Sequence, residues 1–345
     1  MRFFLPTVLF LALILPQPAA SAQEKGTVIV ANMSDNTVTL LDAASRKEIT
    51  TLESGPAPHE VTVSSTGEWA IVTNYGNREE LGHSLTLIDV QAAEISARFD
   101  LGMYERPHGA FFLPGDTLVA ITSEVMQTLV FVDVRSGEVV DTLSTTQRAS
   151  HMLASNPEGT RMFTTNIVDG TITEFDGVAR TRGRVMEVAP MVEGIAMSPD
   201  GMRAWIGSNA ERSVHVLNVE SGEIEATYTE FGFPYRMAVM PNGRYALLSD
   251  PGKGEVRVID AQSLEHVTTI SISGENALPT AEIRGSSAPE GLIITPDSRY
   301  AYVSLQGLNQ VAAIDLDFLE IVGRFETGVW PDGIGYSPLS SSSSN

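Results

Sequence analysis

The chain contains no cysteine. That absence excludes disulfides, a thiolate nucleophile, a sulfur metal ligand, a lipid-anchor cysteine and Cys-x-x-Cys-His haem attachment. Basic residues are scarce, with 22 Lys and Arg against 43 Asp and Glu, for a net charge of −21. A field of that sign disfavours phosphate backbones and anionic lipid, so no nucleic-acid partner is expected. Long apolar runs are missing except for one, Phe3 to Leu15, which is too short to span a bilayer. Arg2 precedes that run and Ala20-Ser21-Ala22 follows it, the pattern of a secretory signal over residues 1–22 with cleavage after Ala22. The mature protein is therefore expected to be periplasmic or secreted, with no membrane span. Loss of Arg2 takes the net charge from −21 to −22. There is no Gly-x-Ser-x-Gly elbow, Gly-rich phosphate loop or His-Glu-x-x-His helix, and Trp69, Trp205 and Trp330 do not recur in register as a quinone-docking phrase would. Neither haem, nucleotide nor quinone is indicated.

What is present is a repeat. Apolar β-branched runs alternate with turn formers and recur with third runs ending at Asp42, Asp89, Asp133, Asp176, Asn218, Asp260 and Asp315. The intervals run from 42 to 55 residues, four of the six between 42 and 44, which suits units of four short strands, as in propeller blades, and does not suit helical repeats. Turns such as Ser198-Pro199-Asp200-Gly201 and Met240-Pro241-Asn242-Gly243 place Pro where φ is preset and Gly where a positive φ is needed. Naming the strands of a unit a to d from the axis outward, the chain opens on a b strand at Thr27 and ends on an unpartnered a strand, Gly333 to Ser337. An open sheet edge is a liability. The expected fold is thus all-β: a seven-bladed β-propeller of four-stranded antiparallel blades, closed by pairing the C-terminal strand with the first three. Residues 23–339 form this single domain, and residues 340–345 a Ser-rich flexible tail.

The phrases Ile71-Val72-Thr73-Asn74 and Tyr302-Val303-Ser304, the Ser-Pro-Asp-Gly turn and Trp330-Pro331-Asp332-Gly333-Ile334 resemble the YVTN seven-bladed β-propellers across nearly all of the mature chain. The resemblance implies the fold. Its relatives include surface-layer modules, periplasmic proteins and lactonase-type hydrolases, so it leaves the activity open.

Chemistry is sought where the repeats diverge. The residue before each innermost strand is, in order, His59, His108, His151, Glu193, Tyr235, Glu290 and Asp332. Five follow Pro and four precede Gly, as expected where strands converge on an axis. Half of the six histidines fall on this one register position. These seven residues are expected to ring the channel mouth, with Arg106, Arg148 and Trp330 beside them. His59, His108, His151 and Glu193 could supply the inner sphere of one divalent transition metal; the other reading of the ring is a solvated or anion-binding polar funnel. Two long insertions, Tyr75 to Ser84 and Ser273 to Ala288, belong to the same face, where binding determinants usually sit. The functional expectation is a propeller that binds a small ligand or a periplasmic protein at this mouth. The alternative is a metal-dependent enzyme or lactonase-like hydrolase working there.

Overall fold

The computed structural model describes residues 24–272 and 287–342. The expected signal segment and most of the second insertion, with Glu275, Glu282 and Arg284, lie outside the described residues. Among the described residues there are 28 strands and no helix. They form seven four-stranded antiparallel sheets, six of them built from consecutive strands. The seventh, blade 1, joins the two ends of the chain: Pro331–Ser337 pairs with Thr27–Asn32, which is followed by Thr37–Asp42 and Lys47–Glu53. This is the expected closure, and it gives the C-terminal strand its partner.

Each acid or amide that ends a third strand caps the turn to the outermost one. Its side-chain oxygen accepts the backbone N–H three residues on, at distances from 2.7 Å for Asp42 to 3.3 Å for Asp315. That local bond explains why the acid recurs once per blade. Alternating side chains from neighbouring blades then interleave, giving seven apolar cores, one at each blade interface. Ile29, Val38 and Leu40 of blade 1, for example, meet Ala70, Val72 and Ile88 of blade 2. The axis is left to other residues.

The expected loop from Tyr75 to Ser84 is mostly strand. Trp69–Gly76 and Leu81–Asp89 continue their ladder past the other blades, with a tight turn at the tip. At the C-terminus, Ser341 N–H donates to Thr27 Oγ1 (3.1 Å) and Ser342 N–H to the Gln91 carbonyl (2.9 Å). The first residues of the expected tail are therefore held against blades 1 and 2.

Candidate axial site

A repeated backbone device aims the ring residues. In blade 2, Pro58 pairs with Asn74 and Val61 with Val72, so His59 and Glu60 together oppose Thr73 alone. This two-against-one β-bulge recurs at the inner strands of six blades. Bulges twist a strand and re-aim its side chains. Here they turn both the ring residue and the one after it toward the axis. Two residues before the ring position, Ala57, Arg106, Ala149, Met191, Ala288 and Trp330 all adopt positive φ, between 45° and 64°.

The threonine or serine opposite the bulge takes up the displaced backbone groups. Thr73, Thr165, Ser249 and Ser304 accept the N–H of Glu60, Met152, Arg236 and Gly291 at 2.7–3.1 Å. Thr122, Thr165, Ser249 and Ser304 donate to the ring-residue carbonyl of the next blade, at His151, Glu193, Glu290 and Asp332 (2.5–3.0 Å). One hydroxyl thus fixes two ring positions. Gly109, Gly194, Gly291 and Gly333 follow ring residues because the next blade's backbone passes there. A Cβ on Gly333 would lie 2.0 Å from the His59 carbonyl oxygen, and one on Gly291 2.1 Å from that of Asp332.

The seven ring residues meet in one cluster. His108 lies between the other two histidines, with ring centroids 4.2 Å from His59 and 3.6 Å from His151. His59 Nδ1 is 2.5 Å from Asp332 Oδ2, and Tyr235 donates its hydroxyl to Asp332 Oδ1 at 3.5 Å. His151 Nε2 is 3.5 Å from Glu193 Oε1. Glu290 accepts from Gln306 Nε2 at 2.7 Å. The solvated funnel is corrected by burial: His108 is 0 % exposed, Asp332 1 % and Glu290 6 %. Six side chains on bulged strands, with Tyr235 from the seventh blade, converge there, and His108, Asp332 and Glu290 are the most deeply covered.

The flanking residues divide. Arg106 donates to the Tyr75 hydroxyl at 2.8 Å, and Tyr75 packs edge-on against His59 and His108. Arg148 instead turns outward, its guanidinium on Asp169 in an exposed pair. Trp330 lies half-exposed on the rim, its backbone N–H donating to Asn309 Oδ1 at 3.0 Å.

Five partners were not anticipated from the sequence. Glu60 and Arg236 follow ring residues where four other blades have glycine, and their side chains form an ion pair. That departure from glycine was a readable signal. Glu124, Asn209 and Gln306 come from a second register, just after the b strands. They hold His151, Glu193 and Glu290 respectively, with Tyr75 in the same register beside His59.

Electrostatics sort the histidines. Burial drives the His108 imidazolium well down, and His151 and His59 add to it, so His108 is neutral. Burial opposes charging of His151, but Glu124 and Glu193 outweigh it and raise it to about 9. His59 is raised by Asp332 and Glu60 against its own desolvation. Burial pushes Glu290 far above the carboxylate range, with the neighbouring Asp332 charge adding to the effect. Asp332 itself is held low by His59 despite burial.

The donor atoms of His59, Glu60 and His108 lie within 4.8 Å of one another, a grouping able to hold a metal ion. This differs from the expected set of His59, His108, His151 and Glu193. His151 has Glu124 on Nδ1 and Glu193 3.5 Å from Nε2, too long for a hydrogen bond, and Glu193 accepts from Asn209.

No protein-family model and no curated protein matches the chain. Among solved structures it is similar to Kuenenia stuttgartiensis hydrazine synthase, with a TM-score of 0.67 and 16% identity over 81% of this chain and 89% of that one. It is also similar to a functionally unknown protein from Desulfotomaculum acetoxidans DSM 771, with a TM-score of 0.74 and 13% identity over 91% and 99% of the two chains. What these chains share is the fold. At such identities the likeness carries no chemistry to this protein.

Proposed function

We propose that this is an exported propeller of the YVTN type that holds a transition-metal ion at the loop-rich end of its axis and engages a ligand or partner protein on that face. The observation that carries the metal is His108. Both of its ring nitrogens are buried without a hydrogen-bond partner, which is costly for a polar group and suits a metal-ligating imidazole. The imidazole is neutral, as a ligand must be. On His59, the Asp332 carboxylate at Nδ1 favours the tautomer that leaves the lone pair on Nε2, the usual way an outer carboxylate orients a ligating histidine. Glu60 completes the group with oxygen.

Charge balance points the same way. Glu60, Glu124, Glu193, Glu290 and Asp332 crowd around one permanent cation, Arg236. The deficit must be met by protons or by an ion. Imidazole and carboxylate donors without sulfur suit zinc, iron, copper or manganese. Bound there, such an ion would supply Lewis-acid or redox chemistry. The chain's own residues would orient His59 through Asp332, anchor His151 between Glu124 and Glu193, and keep water from the cluster. Export is supported by the signal pattern of residues 1–22.

The test is elemental analysis of the mature protein, purified without chelator or affinity nickel, beside His108→Ala. About one equivalent of metal in the parent and loss of most of it in the variant is the expected result. A parent that stays metal-free after incubation with zinc, copper, manganese and ferrous iron overturns the reading, because protons alone then balance the cluster.

A further inference from the structure

Away from the axis, the b-to-c turn of blade 4 and the connection from blade 4 to blade 5 enclose a groove of about 390 Å³ on the loop-rich face. Its backbone is fixed: the Val188 and Ala189 N–H groups both donate to the Gly170 carbonyl, at 3.0 and 3.3 Å. Only glycine fits there, because Gly170 has a φ of +69° and a Cβ on it would lie 2.7 Å from the Ala189 carbonyl oxygen. Val168, Pro190 and Met191 give the groove its apolar lining, and Asp169 and Glu187 its acidic lining. At the register position of Met191 three blades carry alanine, Ala57, Ala149 and Ala288, so the positive φ does not ask for a long side chain. Val168 and Met191 are 52% and 47% exposed and belong to none of the seven apolar cores.

We infer that this groove docks a partner protein through a basic side chain, whose aliphatic stem lies on Val168 and Met191 and whose charge pairs with Glu187. The inference rests on the partner half of the function proposed above and needs no metal. Asp169 is already taken by Arg148, whose backbone N–H and guanidinium both bond its carboxylate. Glu187, exposed at the end of its strand, has no counter-ion among the described residues. Long basic side chains cover apolar surface with their stems and keep the charge at the rim, which matches a groove that is part apolar and part acidic. An acidic group would instead meet Glu187 and Asp169 in a chain already at −21. A protein fits better than a free amine because exposed apolar side chains continue beyond the groove. Met103 and Val125, 61% and 43% exposed, lie on the same face in connections of blades 2 and 3. Methionine is adaptable in shape and suits such a contact.

The probes are an acetylated, amidated peptide, Leu-Lys-Leu-Leu-Lys-Leu, its counterpart with glutamate for lysine, and butylammonium as the free amine. In mature protein carrying ¹³C-methyl methionine, with signals assigned from the leucine variants, the lysine peptide should shift Met191 saturably. Met202, 42% exposed on the opposite face, should stay in place. The glutamate peptide and butylammonium should need at least about tenfold higher concentrations for the same shift. Glu187→Gln, a change at an exposed strand end, should weaken the lysine peptide about threefold or more, and so should raising NaCl from about 0.05 to about 0.5 M. A shift at Met103 without one at Met191 would place the contact elsewhere on this face, overturning the groove while leaving the partner reading intact. No shift at either methionine, an equal response at Met202, unchanged affinity in Glu187→Gln, or a control probe binding as tightly as the lysine peptide would also overturn the inference.

Discussion

Arg236 and Glu60 are 176 residues apart in the chain and meet at the propeller axis, the guanidinium of blade 6 on the carboxylate of blade 2. Their side chains are 6% and 13% exposed, so the pair is largely desolvated. Removing one member leaves the other charged and buried, at a cost of about 3–5 kcal/mol. Arg236→Met should therefore destabilise by about that amount in urea denaturation, and Glu60→Met by a similar amount. The double variant should recover at least half of the summed loss. Simple additivity would mean that the two charges do not depend on each other.

The glycines after the ring residues make a sharper packing prediction. Gly291→Ala and Gly333→Ala each drive a Cβ into a neighbouring blade's backbone oxygen and should destabilise by about 1–3 kcal/mol or more. Gly183→Ala, on an outer strand where the nearest atoms are 3.3 Å away, should stay within about 0.5 kcal/mol. Equal thermal shifts for all three would refute the close-approach account.

The hydroxyl link between blades is tested at Thr165. Thr165→Val keeps the shape but leaves the Met152 N–H and the Glu193 carbonyl without their partner. A loss of about 1–3 kcal/mol is expected by denaturant titration. Thr66→Val, at an exposed turn, is the control, and a Thr165 variant as stable as that control would show the link to be dispensable.

A pH profile isolates His151. Its folded value is raised from 6.5 to about 9, so the folded state binds this proton more tightly than the unfolded chain. The resulting stability is present in full below about pH 6.5 and is lost as pH rises through about 9. Glu124 and Glu193 are depressed by the same contacts, against the pull of burial, and their contribution is lost on the acid side instead. With chelator present, thermal stability should fall across that alkaline interval in the parent and fall less in His151→Gln, the remainder belonging to His59 and Glu290, which are raised as well. An unchanged alkaline limb in the variant would assign the fall to another group.

The ring register could be read because Pro before it and Gly after it are backbone requirements, and backbone requirements repeat. Glu60 and Arg236 were readable for the same reason, as the places where glycine was not kept. Glu124 and Asn209 were hidden: they lie in connections just outside the b strands, and Glu124 reaches His151 in the following blade. Burial was hidden too, because exposure at the axis depends on all seven side chains at once. Arg148 shows the limit of counting along the chain. It precedes His151 by three residues, but Ala149 intervenes with a φ of 55°, and the arginine ends on Asp169.

The strand that closes the ring also delivers Asp332, the carboxylate against His59. Among the described strands it is the last in chain order, so Asp332 joins the cluster after the other six ring residues have been synthesised. Synthesis must therefore run far past His59 before that histidine can meet its carboxylate, however many blades lie between the two in the chain.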